Sequence, residues 1–193
     1  ISADSMQIYR EMNIGTAKPT LEERRGVPHH LMGHVGVERS YNVVSYVRDA
    51  RTVLSQLQSE GKLPILCGGT GLYIDSLLQN IQFSKEESNT EIREELTEMF
   101  NEKGAEYMLN WLQEIDPETA NRLHFNDKSR IIRALEIYKL TGKTLTEQKE
   151  LSRLEETPYD VLYIGINYRD RNVLYDRINL RVDLMLENGL LEE

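Results

Sequence analysis

Two short apolar runs that each stop in small polar residues, with one helical stripe of apolar side chains between them, leave this chain few folds to choose from. The first run is Ile1-Ser2-Ala3, ending in Asp4-Ser5; the second is Leu63 to Cys67, ending in Gly68-Gly69-Thr70-Gly71. Between them Val43, Val47, Ala50, Leu54 and Leu57 recur at helical spacing after Asn42, an N-cap type, and the pattern stops at Gly61. Strand, helix, strand makes a βαβ unit, whose crossover is right-handed and whose strands pair in parallel. Val161 to Ile166 reads as a third strand. These are few strands for a doubly wound sheet, so further strands are expected outside this stretch of chain. The carboxyl ends of parallel strands are where α/β proteins place their chemistry, which singles out Asp4 and the Gly68–Gly71 turn.

From Ser84 to about Thr157 the composition changes to charged, helical sequence with no strand signal. Asn89 to Lys103 carries Ile92, Leu96, Met99 and Phe100 on one face. Asp116-Pro117-Glu118 starts another helix, and Asn126-Asp127 starts a third with Ile131, Leu135 and Tyr138. Thr144 and Glu147 have capping-box spacing. The expected organisation is an α/β core over 1–83, a helical insertion over 84–157 and the continuation of the core over 158–193.

Four groups of residues can carry chemistry. Asp4 stands where a carboxylate can face a cleft and accept a proton from an amine, although an Asp-Ser pair also serves simply to cap a turn. Gly68-Gly69-Thr70-Gly71 enters the helical Leu72 to Leu78, so its amides can converge on an anion; a glycine turn alone is a weak signal. Arg177 and Arg181 are four apart on one face of a helix over Asp170 to Glu187, beside an apolar stripe of Leu174, Ile178, Val182 and Met185. Such a pair is usually a solvated surface. Last, His124 to Glu136 combines a helix start with clustered basic side chains.

Two further signals point to less than they suggest. Gly142-Lys143-Thr144 resembles the end of a phosphate-binding P-loop, but Ile137 stands where that motif needs glycine, so a helix end followed by a cap is expected. His29, His30 and His34 lack a second cluster of ligands, and no metal is assigned to them.

The segments Asp4-Ser5-Met6-Gln7-Ile8-Tyr9, Gly15-Thr16-Ala17-Lys18-Pro19, Gly68-Gly69-Thr70-Gly71-Leu72-Tyr73, His124 to Glu136 and Arg171 to Met185 together resemble the tRNA dimethylallyltransferases, also called tRNA isopentenyltransferases. The resemblance runs over nearly the whole chain with the motifs in order. It implies a P-loop NTPase-like α/β fold, a parallel sheet core with a helical insertion domain. It also implies transfer of a dimethylallyl group from dimethylallyl diphosphate to N6 of the adenosine 3′ of the anticodon, with Mg²⁺ accompanying the diphosphate. The matching aspartate, Asp4, is the family's proposed base, Thr70 contacts tRNA near the reacting centre, and Arg181 grips the pyrophosphate, with Arg177 assigned to the same anion. The tRNA path is lined by residues matching Asp4, Ser5, Met6, Gln7, Thr70, Arg93, Ser129, Arg130, Ile131, Ile132 and Arg133. The family's N-terminal P-loop and its downstream tRNA-binding segments have no counterpart here, so an inactive fragment of a longer enzyme is expected. Leu31 to Gly36 departs from the family pattern and is given no role.

Composition narrows the setting. A net charge of -9 repels nucleic acid at long range, so any RNA contact depends on a local basic patch. One cysteine, Cys67, expected as a small core residue at a strand end, fits a reducing compartment. With no run of about 18 apolar residues and no charged-then-apolar leader, a cytoplasmic monomer without membrane contact is expected. Two other readings remain: a P-loop kinase of a small molecule, and an RNA-binding module without catalysis. Plant-type relatives that prenylate free adenine nucleotides share parts of the pattern.

Overall fold

The computed structural model describes residues 1–83, 89–152 and 156–193. They form two compact units, Ile1–Asn80 with Thr157–Glu193, and Ile81–Glu156. The expected boundary at Ser84 lies outside the described residues.

In the first unit the crossover helix α1 (Val43–Ser59) begins where Asn42 accepts a hydrogen bond from the Ser45 amide at 3.0 Å. Its buried stripe is Tyr46, Val47, Ala50, Leu54 and Leu57. It packs on α2 (Gly71–Leu78), chiefly through the Tyr46 and Tyr73 rings, stacked at 4.2 Å between centroids. Ala3, Ile8, Val35 and Leu77 complete the core of this unit. Each of the larger aliphatic side chains removed from water contributes about 1.5–3 kcal/mol.

The strand pairing is sparser than expected. Ser2 pairs with Cys67 and Tyr9 with Val35, both in parallel, as isolated bridges rather than ladders. Parallel pairing agrees with the βαβ reading; a continuous parallel sheet is not present among the described residues. Val161–Ile166 is unpaired there, and Leu162, Ile164 and Ile166 are 85, 81 and 93% exposed. A ladder needs a partner alongside over several successive residues, and here the pairing stops at single bridges. Cys67, expected inside, is exposed.

The second unit is entirely helical among its described residues. Helices α3 (Thr90–Lys103), α4 (Ala105–Ile115), α5 (Pro117–Ala120), α6 (Lys128–Thr141) and α7 (Leu145–Leu151) enclose Leu96, Met108, Leu112, Ala120, Ile131, Ile132, Ala134 and Leu135. Helix α4 adds to the expected set. Its Met108 and Leu112 have core spacing, but Gly104 interrupts the pattern: at φ +85°, that glycine ends α3 and starts α4. The capping box of Thr144 and Glu147 forms at the start of α7, and Gly142 ends α6, so no phosphate loop exists there.

Asp116 holds this unit's helices together. Its buried carboxylate accepts from the Thr119 amide at 3.0 Å, the Thr146 amide at 3.0 Å and the Thr146 hydroxyl at 2.7 Å, joining the start of α5 to α7. Asp116→Ala is expected to cost about 2 kcal/mol in urea unfolding of the whole protein. Burial pushes the Asp116 carboxyl up, but the hydrogen bonds from Thr146 and Thr119 outweigh it and hold the group below the ordinary carboxylate range. Its folded value is therefore depressed, so its stabilisation is complete at neutral pH and is lost as acid protonates the folded carboxylate. In Asp116→Ala that part of the acid dependence disappears.

The chain ends in the first unit with α8 (Arg171–Glu187), which starts where the Asp170 side chain accepts from the Asn172 amide at 2.9 Å. Its expected apolar stripe is not buried: Ile178 and Val182 are 48 and 46% exposed.

Candidate active site

The Ser2–Cys67 bridge decides where the candidate residues meet. Ala3 donates its amide to the Cys67 carbonyl at 2.8 Å, and Cys67 donates to the Ile1 carbonyl at 3.0 Å. Because the pairing is parallel, both segments end on the same side, and the turns that succeed them converge. The Ser5 amide donates to Thr70 Oγ1 at 2.9 Å, Thr70 Oγ1 donates to Ser5 Oγ at 3.2 Å, and the Thr70 amide donates to the Ala3 carbonyl at 3.0 Å. Residues 65 apart in sequence thus form one corner. The Thr70 amide is turned inward by this bond, so the glycine turn does not offer all its amides to an anion.

Asp4 does both things that its position allows. Its Oδ1 accepts from the amides of Met6 at 2.9 Å and Gln7 at 3.2 Å, the turn-capping role. Its Oδ2 accepts no hydrogen bond among the described residues. Asp4 and Gln7 line a cavity of about 970 Å³ together with Met32, Cys67 and Gly68. A carboxylate in a cavity lining with one oxygen pinned by backbone and the other unbonded keeps a vacant lone pair. Met6 is 46% exposed at the same turn. Behind it, burial raises the Tyr73 phenol, and Tyr9 and Asp4 add to the effect.

Gln7 reaches away from Asp4. Its Nε2 donates to the Thr16 carbonyl at 3.0 Å and the Ala17 carbonyl at 3.4 Å, tying the turn to the Gly15-Thr16-Ala17-Lys18 segment. The Lys18 ammonium donates to the carbonyls of Tyr9 at 2.6 Å and Arg10 at 3.2 Å and to Asn13 Oδ1 at 3.0 Å. An ammonium has three protons, and all three are committed within the protein.

The two arginines of α8 differ. Arg177 donates to the Tyr168 hydroxyl at 3.0 Å and lies 5.6 Å from the centre of that ring. Arg181 is exposed and has no hydrogen bond or ion pair among the described residues. Neither lines the cavity at Asp4. Among the described residues no three His, Cys, Asp or Glu side chains are grouped to hold a metal ion. Mg²⁺ that accompanies a diphosphate takes its ligands largely from phosphate oxygens and water, with one or two protein oxygens, so this concerns a cluster built by the protein alone and not that ion.

The second unit holds the remaining candidates. Arg93, on α3, is exposed beside Thr97 and Glu94 in a shallow hollow. Of Ser129 to Arg133, Ser129 and Arg130 are exposed and Arg133 is partly so. Ile131 and Ile132 are 0 and 3% exposed, and their side chains anchor α6 in the helical core. Arg133 lies 3.0 Å from the fully buried Glu136, whose oxygens receive no well-aligned hydrogen bond. Breaking that pair would leave a buried charge uncompensated.

Comparison with known proteins extends the pattern beyond these contacts. The family model described as IPP transferase matches residues 7–193. The chain is 46% identical over its full length to a tRNA dimethylallyltransferase of Thermoanaerobacter pseudethanolicus, covering 62% of that protein. It is 48% identical to one of Bacillus cytotoxicus, covering 60%. Among solved structures, a full-length tRNA isopentenylpyrophosphate transferase of Bacillus halodurans superposes with a TM-score of 0.62 at 40% identity, over 99% of this chain and 58% of that one. A eukaryotic dimethylallyltransferase acting on tRNA superposes with a TM-score of 0.78 at 32% identity, over 99% and 47%. The chain thus spans about three fifths of the length of the curated relatives it matches, 62 and 60%.

Proposed function

The chain belongs to the IPP transferase family, and from that premise we propose that it is part of an enzyme that transfers a dimethylallyl group from dimethylallyl diphosphate to N6 of the adenosine 3′ of the anticodon in tRNA. The observation that carries the reading is the corner of Asp4, Ser5 and Thr70, with one Asp4 oxygen committed to backbone, the other without a hydrogen bond among the described residues, and Asp4 in the lining of the cavity.

In this reading the N6 amine attacks the allylic carbon, the carbon–oxygen bond breaks, and the diphosphate leaves with the electron pair. The amine's lone pair is delocalised into the ring, so its proton must be taken as the bond forms. Asp4 Oδ2 accepts that proton, and the pinned Oδ1 fixes the direction from which it does so. Thr70, bonded to Ser5, keeps the two strand ends in register at the reacting base. Arg181, without an internal partner among the described residues, meets the developing charge of the diphosphate, where a planar cation that stays ionised is suited to phosphate oxygens. Arg177 supports the same face from its seat on Tyr168.

Ser5, Met6 and Gln7 line the path of the tRNA, and Arg93, Ser129, Arg130 and Arg133 supply contacts to its anticodon stem-loop. Phosphate contacts give affinity, and contacts to splayed bases give recognition. The target base has to leave its stack to reach Asp4. The parallel pairings belong, in this reading, to a P-loop NTPase-like sheet completed by strands beyond these residues. The protein acts as a monomer in the cytoplasm. No described helix is long and apolar enough to cross a membrane.

The test is transfer from labelled dimethylallyl diphosphate by the full-length protein, with unmodified tRNA and AMP as parallel acceptors. Label on tRNA is expected. Label on AMP alone would place the protein with nucleotide prenylation. Absence of label on both would favour phosphate transfer from ATP or RNA binding without catalysis.

A further inference from the structure

The last described residue, Glu193, holds the loop that backs the proposed catalytic turn. One of its oxygens, Oε1, accepts from the amides of Asn13 at 2.5 Å and Ile14 at 2.7 Å, and Oε2 accepts from the amide of Gly15 at 2.8 Å. Three consecutive backbone donors on one carboxylate make a nest, the arrangement by which main chain binds anions. Here the anion is intramolecular. These bonds hold the Glu193 carboxyl below its usual range, as a carboxylate fed by backbone donors should be.

The fit at this point is close. A Cβ on Gly15 would lie 3.1 Å from Leu190 Cδ1 and 3.6 Å from Glu193 Oε2. Glu193 itself is placed by the turn after α8, where its amide donates to the Gly189 carbonyl at 3.1 Å. The loop it grips is closed on itself by Thr16 Oγ1 donating to the Met12 carbonyl at 2.8 Å and the Lys18 amide donating to the Asn13 carbonyl at 2.9 Å. Ala17 sits at φ +47°, a conformation that a residue with a Cβ holds only where its surroundings determine it. The carbonyls of Thr16 and Ala17, at the far side of this loop, are the ones that receive the Gln7 side chain. A continuous path therefore runs from the end of α8, through Glu193, to the turn on which Asp4 stands. Arg181 rides on that same helix.

We propose that Glu193 is a positioning residue for prenyl transfer: by closing the Asn13–Lys18 loop it holds Gln7, and with it the Asp4–Gln7 turn, in place relative to α8. This rests on the proposed prenyl transfer to tRNA. A carboxylate is required because the nest presents donors only and three of them, which one amide oxygen can satisfy only in part. The consequence falls on the acceptor tRNA, since the turn faces that substrate while Arg181 keeps its own place on α8.

The experiment compares full-length wild type with Glu193→Ala and Glu193→Gln, by hydrogen exchange and by steady-state transfer kinetics for both substrates. In Glu193→Ala the amides of Asn13, Ile14 and Gly15 should exchange faster. The value of kcat/KM for tRNA should fall on the order of 10²-fold, as for a displaced catalytic group, with the KM for dimethylallyl diphosphate unchanged. Glu193→Gln, which keeps an acceptor for two of the three amides, should fall between the two and decides the question if the alanine variant does not fold. Unchanged exchange at the three amides overturns the proposal, and so does faster exchange with tRNA kinetics unaltered. A KM for dimethylallyl diphosphate that rises as much as kcat/KM for tRNA falls, with no rescue by glutamine, shows a structural role only and overturns it as well. A wild type that transfers no prenyl group overturns the functional reading itself, a result distinct from an active wild type indifferent to Glu193.

Discussion

Asp4→Asn in the full-length protein should lower the rate of prenyl transfer to tRNA by roughly 10²–10⁴-fold, the range over which a positioned proton acceptor acts, while leaving the turn folded. Asparagine is the informative replacement because its side-chain oxygen can still accept from the amides of Met6 and Gln7, as Oδ1 does at 2.9 and 3.2 Å. What it removes is the charge and the accepting lone pairs of the second oxygen. Single-turnover transfer from labelled dimethylallyl diphosphate, with tRNA binding measured separately, distinguishes the outcomes. A variant that binds tRNA normally and transfers at the wild-type rate would show that Asp4 is a turn cap and nothing more.

The second large effect concerns Gly68. A Cβ at this position would stand 2.3 Å from both the carbonyl carbon and oxygen of Ala3 and 2.8 Å from its Cα. All three are backbone atoms of a residue that itself is 0% exposed, so no side chain can swing aside. Gly68→Ala should therefore destabilise the protein by about 3 kcal/mol, the upper part of the range for overpacking. The strain would fall on the Ser2–Cys67 pairing and on the bond from the Thr70 amide to Ala3, so activity should fall with stability. Gly69→Ala is the control: its Cβ would meet nothing within 4 Å, and its urea midpoint should stay near wild type. Equal stability of the two variants would mean that the strand ends are not in contact.

These two glycines show how far the chain can be read from its sequence. Adjacent along the chain, they look alike as members of one turn, and only the approach of Ala3 from across the bridge separates them. The helices are largely legible, because caps and spacing are local: Asn42, Asn89, Asp170 and the Thr144 box each bond within their own first turn. Helix α4 escapes such a reading because one glycine serves as the end of one helix and the start of the next. The strands are legible as apolar runs but not as pairs, since an extended segment says nothing about whether a neighbour is present to receive its hydrogen bonds. The burial of Ile131 and Ile132, inside the motif Ser129 to Arg133, is hidden for a related reason. A motif places five consecutive residues together, whereas a helix turns two of them into its core.

The sequence by itself determined the family, the helix starts and stops, and the identities of Asp4, Thr70 and the α8 arginines as the residues to examine, since these depend on local spacing and on motifs. The tertiary structure alone decided which groups remain available to react. It committed the three protons of Lys18 to internal oxygens, seated Arg177 on Tyr168, left Asp4 with one open oxygen, and gave Glu193 three amides 178 to 180 residues away in the chain. The physical reason is that the availability of a polar group depends on what faces it in space, and parallel strand ends bring together groups that sequence keeps far apart.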